Sequence, residues 1–304
     1  MNFDRTFPDG ARVCFVGDSI THMGGFVNQI VSYYRSNFPD RHIEFYNCGI
    51  AGGDLRNTID IYDEDTEVYD PTHIVLMIGV NDSKRWCLSN SDKQNVYDDL
   101  LVAYEHFKAN LEEFYTLTQQ RNIKLILCTP MPYDEYQDTD SPRFNGGYAL
   151  MLGYANCIEQ FAISKGLDLC DYHSAVTRVL QTEILYDADR VHPNQKGHFW
   201  MAKTFLAYQG IDFLQPITPT EDIEEWYNIT QKLRDIFATE FLVVSGYIKL
   251  SDTERYSIIS TKQREMEAKI YNPGSYVGRL INEYVKNKKF QSEYVNRLKN
   301  FMKR

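Results

Sequence analysis

The chain has 304 residues, a net charge of −10 and 43% apolar residues. That is enough apolar matter for one large domain, or one domain with an appendage, and the acidic balance argues against general nucleic-acid binding. The charge is uneven: residues 275–304 carry eight Lys/Arg against two Asp/Glu, a net of +6, which leaves −16 on residues 1–274.

The start, Met1-Asn2-Phe3-Asp4-Arg5, has no basic stretch leading into an apolar one. No signal peptide is expected, and a cytoplasmic location is. The apolar stretches near 74–80 and 241–244 are too short to span a bilayer, so stable membrane insertion is not expected. The six cysteines, at 14, 48, 87, 128, 157 and 170, stand singly with no CxxC pair. They read as reduced thiols.

Five apolar runs bounded by turn residues predict buried parallel strands at 12–16, 43–47, 73–78, 124–129 and 167–171. Helical patterns fall between and after them. Phe26, Ile30, Tyr33 and Tyr34 share one face. Val96, Leu100, Ala103, Phe107, Leu111 and Phe114 make a longer stripe. Residues 148–163 and 198–208 give two more. Strand alternating with helix implies a doubly wound α/β sheet with right-handed crossovers. Reactive groups then belong at the carboxyl ends of the strands.

Two loops stand out: 82–92, with Lys84, Arg85 and Trp86, and the Pro-, Tyr-, Asp- and Gly-rich 130–147. After Gln215-Pro216 the pattern is helical only. Trp226, Ile229, Leu233 and Phe237 share a face, as do Val277, Leu280, Ile281 and Tyr284, and Tyr294, Val295, Leu298 and Phe301. Ser251 and Glu254 suggest a capping box, and Asn272-Pro273-Gly274 a turn. The expected division is a catalytic part, 1–215, and a helical appendage, 216–304. The apolar stripes of the appendage need a partner, either the core or a second copy in a homo-oligomer.

Three short pieces carry chemistry: Gly17-Asp18-Ser19, Gly79-Val80-Asn81-Asp82 and Asp189-Arg190-Val191-His192-Pro193. A serine hydroxyl is a poor nucleophile until a base takes its proton. His192 is the natural base, and Asp189 can hold its other nitrogen. Asn81 offers an amide donor to a developing oxyanion, and the Ser19 backbone N–H a second. A third comes from Gly49-Ile50-Ala51-Gly52-Gly53, where glycine lets backbone approach a substrate. Taken singly, each piece is an ordinary turn, cap or surface pair. Their conjunction at strand ends points to acyl transfer.

These pieces resemble the four blocks of the SGNH, or GDSL-type, serine hydrolases over about residues 11–210. The resemblance implies a flavodoxin-like three-layer sandwich with a central parallel sheet of about five strands. It implies Ser19, Asp189 and His192 as the triad, and an oxyanion hole from Ser19, Gly52 and Asn81. Gly52-Gly53 leaves the glycine ambiguous by one residue, with Gly52 favoured. The appendage has no counterpart in the minimal family fold.

Asp18 and Asp82 are expected to support the site by hydrogen bonding. His22, Trp86 and Tyr133 are expected at its rim or on the substrate, with Tyr136 and Arg143 also placed to meet a sugar. The reading is a serine esterase for short acyl groups, in particular acetyl, carried on a carbohydrate or other small molecule. The alternative is a lysophospholipase or thioesterase for longer chains, with the appendage as a lid. A remote alternative is a non-catalytic, receiver-like module, from Asp18 after the first strand and Thr129 after the fourth. That class needs a lysine after the fifth strand, where Asp171-Tyr172-His173 stands instead. The seven histidines form no HExxH or paired zinc spacing, and there is no GxSxG elbow. No metal or cofactor is expected.

Overall fold

The apolar runs pair side by side in a computed structural model that describes residues 5–89, 93–244 and 291–303. The strands are β1 (Arg12–Gly17), β2 (Glu44–Gly49), β3 (His73–Met77), β4 (Lys124–Cys128) and β5 (Asp168–Cys170). All four pairings are parallel, in the order β2-β1-β3-β4-β5. This is the flavodoxin-like order. Val13, Cys14, Phe15 and Val16 are each at most 1% exposed. A strand covered by helices on both faces needs such an unbroken apolar run.

The long helices are α2 (Gly25–Asn37), α5 (Lys93–Gln120), α6 (Gly147–Lys165) and α8 (Gln195–Tyr208). Helices α2 and α8 pack together on one face of the sheet. On the other face Tyr104 and Phe107 of α5 meet Tyr154 of α6. Four short helices escape the sequence periodicity: α1 (Ser19–Met23), α3 (Leu55–Asp60), α4 (Tyr62–Asp65) and α7 (Tyr172–Val179). Helices of one or two turns are too short to show a 3.6-residue repeat and depend on their caps and surroundings.

The helical segment after 216 contributes α9 (Glu221–Val244) and a C-terminal helix, Gln291–Met302. Trp226, Ile229, Leu233 and Phe237 are all buried, and Leu298 and Phe301 join the same core. Both helices pack on the β2 edge of the sheet. Trp226 Nε1 donates to the Phe45 carbonyl at 3.3 Å. Arg234 pairs with Asp65 at 2.6 Å, with both side chains at most 3% exposed. The stripes of α9 and the C-terminal helix are thus covered by the chain's own core. The capping box at 251–254, the turn at 272–274 and the stripe at 277–284 lie outside the described residues. Among the described residues no helix is long and apolar enough to cross a membrane.

Register lines up the carboxyl ends of three strands. Gly17 stands opposite Gly49 of β2 and Met77 of β3. The segments that follow, 18–23, 50–54 and 78–84, therefore leave the sheet side by side. Between β1 and β3 the order of strands reverses, which opens a crevice there.

Candidate active site

Ser19 is the first residue of α1. A Cβ at Gly17 would lie 2.4 Å from the Met77 carbonyl, so only glycine lets the chain turn this tightly off the sheet. Asp18 caps the helix, its carboxylate accepting the Ile20 N–H at 3.0 Å. The Ser19 N–H has no partner among the described residues, as expected at a helix start.

Ser19 Oγ lies 2.7 Å from His192 Nε2. His192 Nδ1 lies 2.5 Å from Asp189 Oδ2. The other carboxylate oxygen of Asp189 accepts the N–H groups of Val191 and His192 at 3.0 and 2.9 Å. The turn is closed by Asp187 N–H to the His192 carbonyl at 2.9 Å and by a bridge between Tyr186 and Pro193. The hydrogen bond that the imidazole donates to Asp189 raises the His192 pKa against the opposing effect of burial. Burial would raise Asp189, but the imidazole and the two backbone N–H groups hold it well below the usual carboxylate range.

Besides Ser19, the segments after β2 and β3 each carry a candidate N–H donor. Gly52 adopts φ +80, a conformation glycine takes without strain. Its N–H has no partner among the described residues. The Gly53 N–H, by contrast, is spent on the Ile50 carbonyl at 3.0 Å. Asn81 Nδ2 donates to the Gly53 carbonyl at 2.8 Å, which fixes the amide and leaves its second hydrogen without a partner among the described residues.

Burial pushes Asp18 up to about 6 and Asp82 up to about 7. The Ile20 N–H and the charges of His192 and Arg85 restrain Asp18. The charges of Asp54 and Asp18 add to the rise at Asp82. Asp82 accepts the Leu55 N–H at 3.0 Å and so ties the β3 loop to α3. Both carboxylates organise backbone around the site.

One expectation needs correction. His22 is buried, with Nε2 3.4 Å from Asp235 of α9, because α1 turns that face away from the crevice. Tyr133, expected at the rim, is 2% exposed and lines a small crevice with Val80 and Val191. Its hydroxyl accepts the Phe144 N–H at 3.0 Å and donates to the Pro142 carbonyl at 3.5 Å, so it braces loop 130–147 from within. Trp86 and Tyr136 are exposed, as is Arg143.

Sequence reasoning missed Arg190. It is 4% exposed and sits at φ +69 inside the Asp189–His192 turn. Its guanidinium donates to the carbonyls of Gln137, Thr139 and Ser141. Its own carbonyl accepts the Asp134 N–H at 3.1 Å. Loop 130–147 and the histidine turn are thus stitched together by a residue whose sequence signal is only a charge inside a tight turn. Arg85 was seen only as a loop cation. It donates to the Val80 carbonyl at 2.9 Å, and its charge reaches both Asp18 and His192.

Val80 and Val191, the chain neighbours of Asn81 and His192, line a crevice with Arg85, Met131, Pro132, Tyr133 and Met151, with room of about 10 Å³. That suits one water-sized group. A cleft of about 400 Å³ between α2, residues 217–223 and Phe301 shares no residue with this site. No cluster of three metal-ligating side chains occurs among the described residues.

The GDSL-like lipase/acylhydrolase family model matches residues 15–199, and the chain belongs to that family; it is a carboxylic ester hydrolase. It is similar to an acetylxylan esterase of Geobacillus stearothermophilus, at 28% identity over 226 residues, 68% of this chain and 97% of that one. A solved variant of the acetyl xylan esterase from that organism is 25% identical, covers 69% of this chain and 99% of its own, and has a TM-score of 0.57. An α/β hydrolase enzyme from the metagenome of Lake Arreo, Spain, is 26% identical, with coverages of 67% and 97% and a TM-score of 0.56. A gut microbial diltiazem-metabolizing enzyme shares the fold over 98% of this chain and 96% of its own, with a TM-score of 0.73 at 14% identity.

Proposed function

We propose that this chain is a serine esterase that removes short acyl groups, in particular acetyl, from a carbohydrate. The catalytic groups all lie within residues 1–215. The observation that carries this reading is the aligned contact of Ser19 Oγ, His192 and Asp189, at 2.7 and 2.5 Å.

His192 Nε2 takes the Ser19 proton as Oγ attacks the ester carbonyl. Asp189 holds the imidazole and stabilises the imidazolium that forms. The tetrahedral oxyanion accepts hydrogen bonds from the N–H groups of Ser19 and Gly52 and from the Asn81 amide, each worth a few kcal/mol. His192 then gives its proton to the leaving alcohol, which departs and leaves the acyl group on Ser19. Water, activated by the same imidazole, attacks the acyl carbon; acetate leaves and Oγ recovers its proton.

The short-acyl reading is supported by the small crevice that Val80 and Val191 line. Its room of about 10 Å³ is on the scale of one water-sized group, and its lining is mostly apolar. The carbohydrate reading draws on the acetylxylan esterase relative. The exposed rings of Trp86 and Tyr136 add surfaces on which sugars stack. Structures of that relative include catalytic mutants of a serine, an aspartate and a histidine, the last two three positions apart, as Asp189 and His192 are here.

Ser19→Ala should abolish hydrolysis of p-nitrophenyl acetate while leaving the circular dichroism spectrum and unfolding midpoint unchanged. Retention of most activity sinks the mechanism. A series from acetyl to octanoyl esters, run beside acetylated xylo-oligosaccharides, should favour acetyl. A preference for octanoyl rejects the short-acyl reading.

A further inference from the structure

Helix α1 cannot hold itself in place. It is five residues long, with Ser19 at its amino end. His22 N–H to the Asp18 carbonyl, at 2.9 Å, closes its first turn. Helix nucleation is costly, and the last carbonyls of a helix need outside partners. The Thr21 carbonyl accepts Asn47 Nδ2 of β2 at 2.6 Å. The next two carbonyls are taken by α9. Gln231 Nε2 donates to the His22 carbonyl at 2.8 Å, and Tyr227 Oη donates to the Met23 carbonyl at 2.7 Å. Asp235 stands 3.4 Å from His22 Nε2.

Tyr227, Gln231 and Asp235 follow one another at four-residue spacing, so they form one face of α9. The adjoining face carries Trp226, Leu233, Arg234 and Phe237, all buried. Trp226 bonds to β2 and Arg234 pairs with Asp65, so α9 is fixed to the core before it reaches α1. The approach is close. A Cβ at Gly24 would lie 3.3 Å from the Tyr227 ring and 3.4 Å from Gln231 Nε2.

The family match ends at residue 199, so α9 lies outside the part shared with the family model. We propose that α9 is a positioning element for the nucleophile: Tyr227 and Gln231 cap the carboxyl end of α1 and thereby set Ser19 Oγ against His192. This rests on the reading of Ser19 as nucleophile. A helix of this length spans only about 7 Å, so a tilt of about 10° at Met23 displaces Ser19 by about 1 Å. Misplacement by about 1 Å can cost about a hundredfold in rate.

The test uses the full chain with Tyr227→Phe, Gln231→Leu and the pair combined. Both substitutions keep the apolar bulk of the side chain and remove the donor. The double variant should lose kcat on p-nitrophenyl acetate by about tenfold or more, with KM within about twofold. Amide hydrogen exchange across 18–24 should speed up. Trp226→Phe removes a hydrogen bond from the same helix to β2 without touching α1. It should lower the unfolding midpoint and leave kcat per folded molecule unchanged. If the double variant fails to fold, the single Tyr227→Phe, which deletes one oxygen, carries the same comparison.

A kcat per folded molecule within about twofold of wild type overturns the proposal, as does an equal loss in Trp226→Phe. If Ser19→Ala stays active, the serine reading fails instead. The capping of α1 is then judged by exchange across 18–24 alone, and unchanged exchange rejects it.

Discussion

Asparagine at position 189 changes the chemistry of the site with almost no change in shape. Oδ1 of Asp189 accepts two backbone N–H groups, at 3.0 and 2.9 Å. An asparagine must therefore keep its carbonyl oxygen there and place its NH2 where Oδ2 stood, facing His192 Nδ1. A donor in that place favours the tautomer whose proton is on Nε2, toward Ser19, where the base must be empty. In a comparable buried triad this swap costs about 10⁴ in kcat. The Asp189 side chain is 48% exposed, so water competes for Nδ1 and softens the effect. The expected loss is about 10² to 10⁴ in kcat, roughly 3–5 kcal/mol of barrier, with KM nearly unchanged. The assay is kcat/KM on an acetyl ester against pH. His192 must be neutral to accept the proton, so activity rises with pH through its pKa. Asp189 raises that pKa, so the wild-type acid limb lies above the ordinary histidine value of about 6.5. In Asp189→Asn the limb moves to lower pH. A kcat within about threefold of wild type, with the limb unmoved, would refute the reasoning and mean that something else orients His192.

Asn81→Ala removes one oxyanion donor and should lower kcat by about 10² to 10³ with little change in KM, in steady-state kinetics; an unchanged kcat removes Asn81 from the mechanism. Arg190→Gly relaxes a left-handed backbone but gives up three carbonyl partners. A net loss of about 1–3 kcal/mol in urea unfolding is expected, and stability at or above wild type would show that strain outweighs the clamp. Arg234→Met leaves Asp65 buried without its partner and should cost about 3–5 kcal/mol in the same assay. Adding Asp65→Leu should recover part of that loss, and simple additivity of the two would argue against the pair.

The strands and the reaction class were legible because they are written locally. A strand buried on both faces must be an apolar run, so β1 and β3 stood out without any knowledge of their neighbours. The serine, glycine and asparagine motifs then fell at strand ends, where an α/β sheet puts its crevice. Short helices were not legible, since one or two turns leave no periodic trace. Nor was the difference between Gly52 and Gly53: the N–H of Gly53 is bonded to Ile50, and Gly52 takes the positive φ.

By itself, then, the sequence determined the sheet, the parts list of the site and the class of chemistry, because all three follow from local pattern and side-chain type. Tertiary structure alone decided which way His22 points, why Arg190 is buried in the histidine turn, and where the helical segment goes. Those depend on contacts such as that between Ser19 and His192, 173 residues apart, or between Met23 and Tyr227, 204 apart. No short stretch of chain carries that information, because it lies in how separate elements pack.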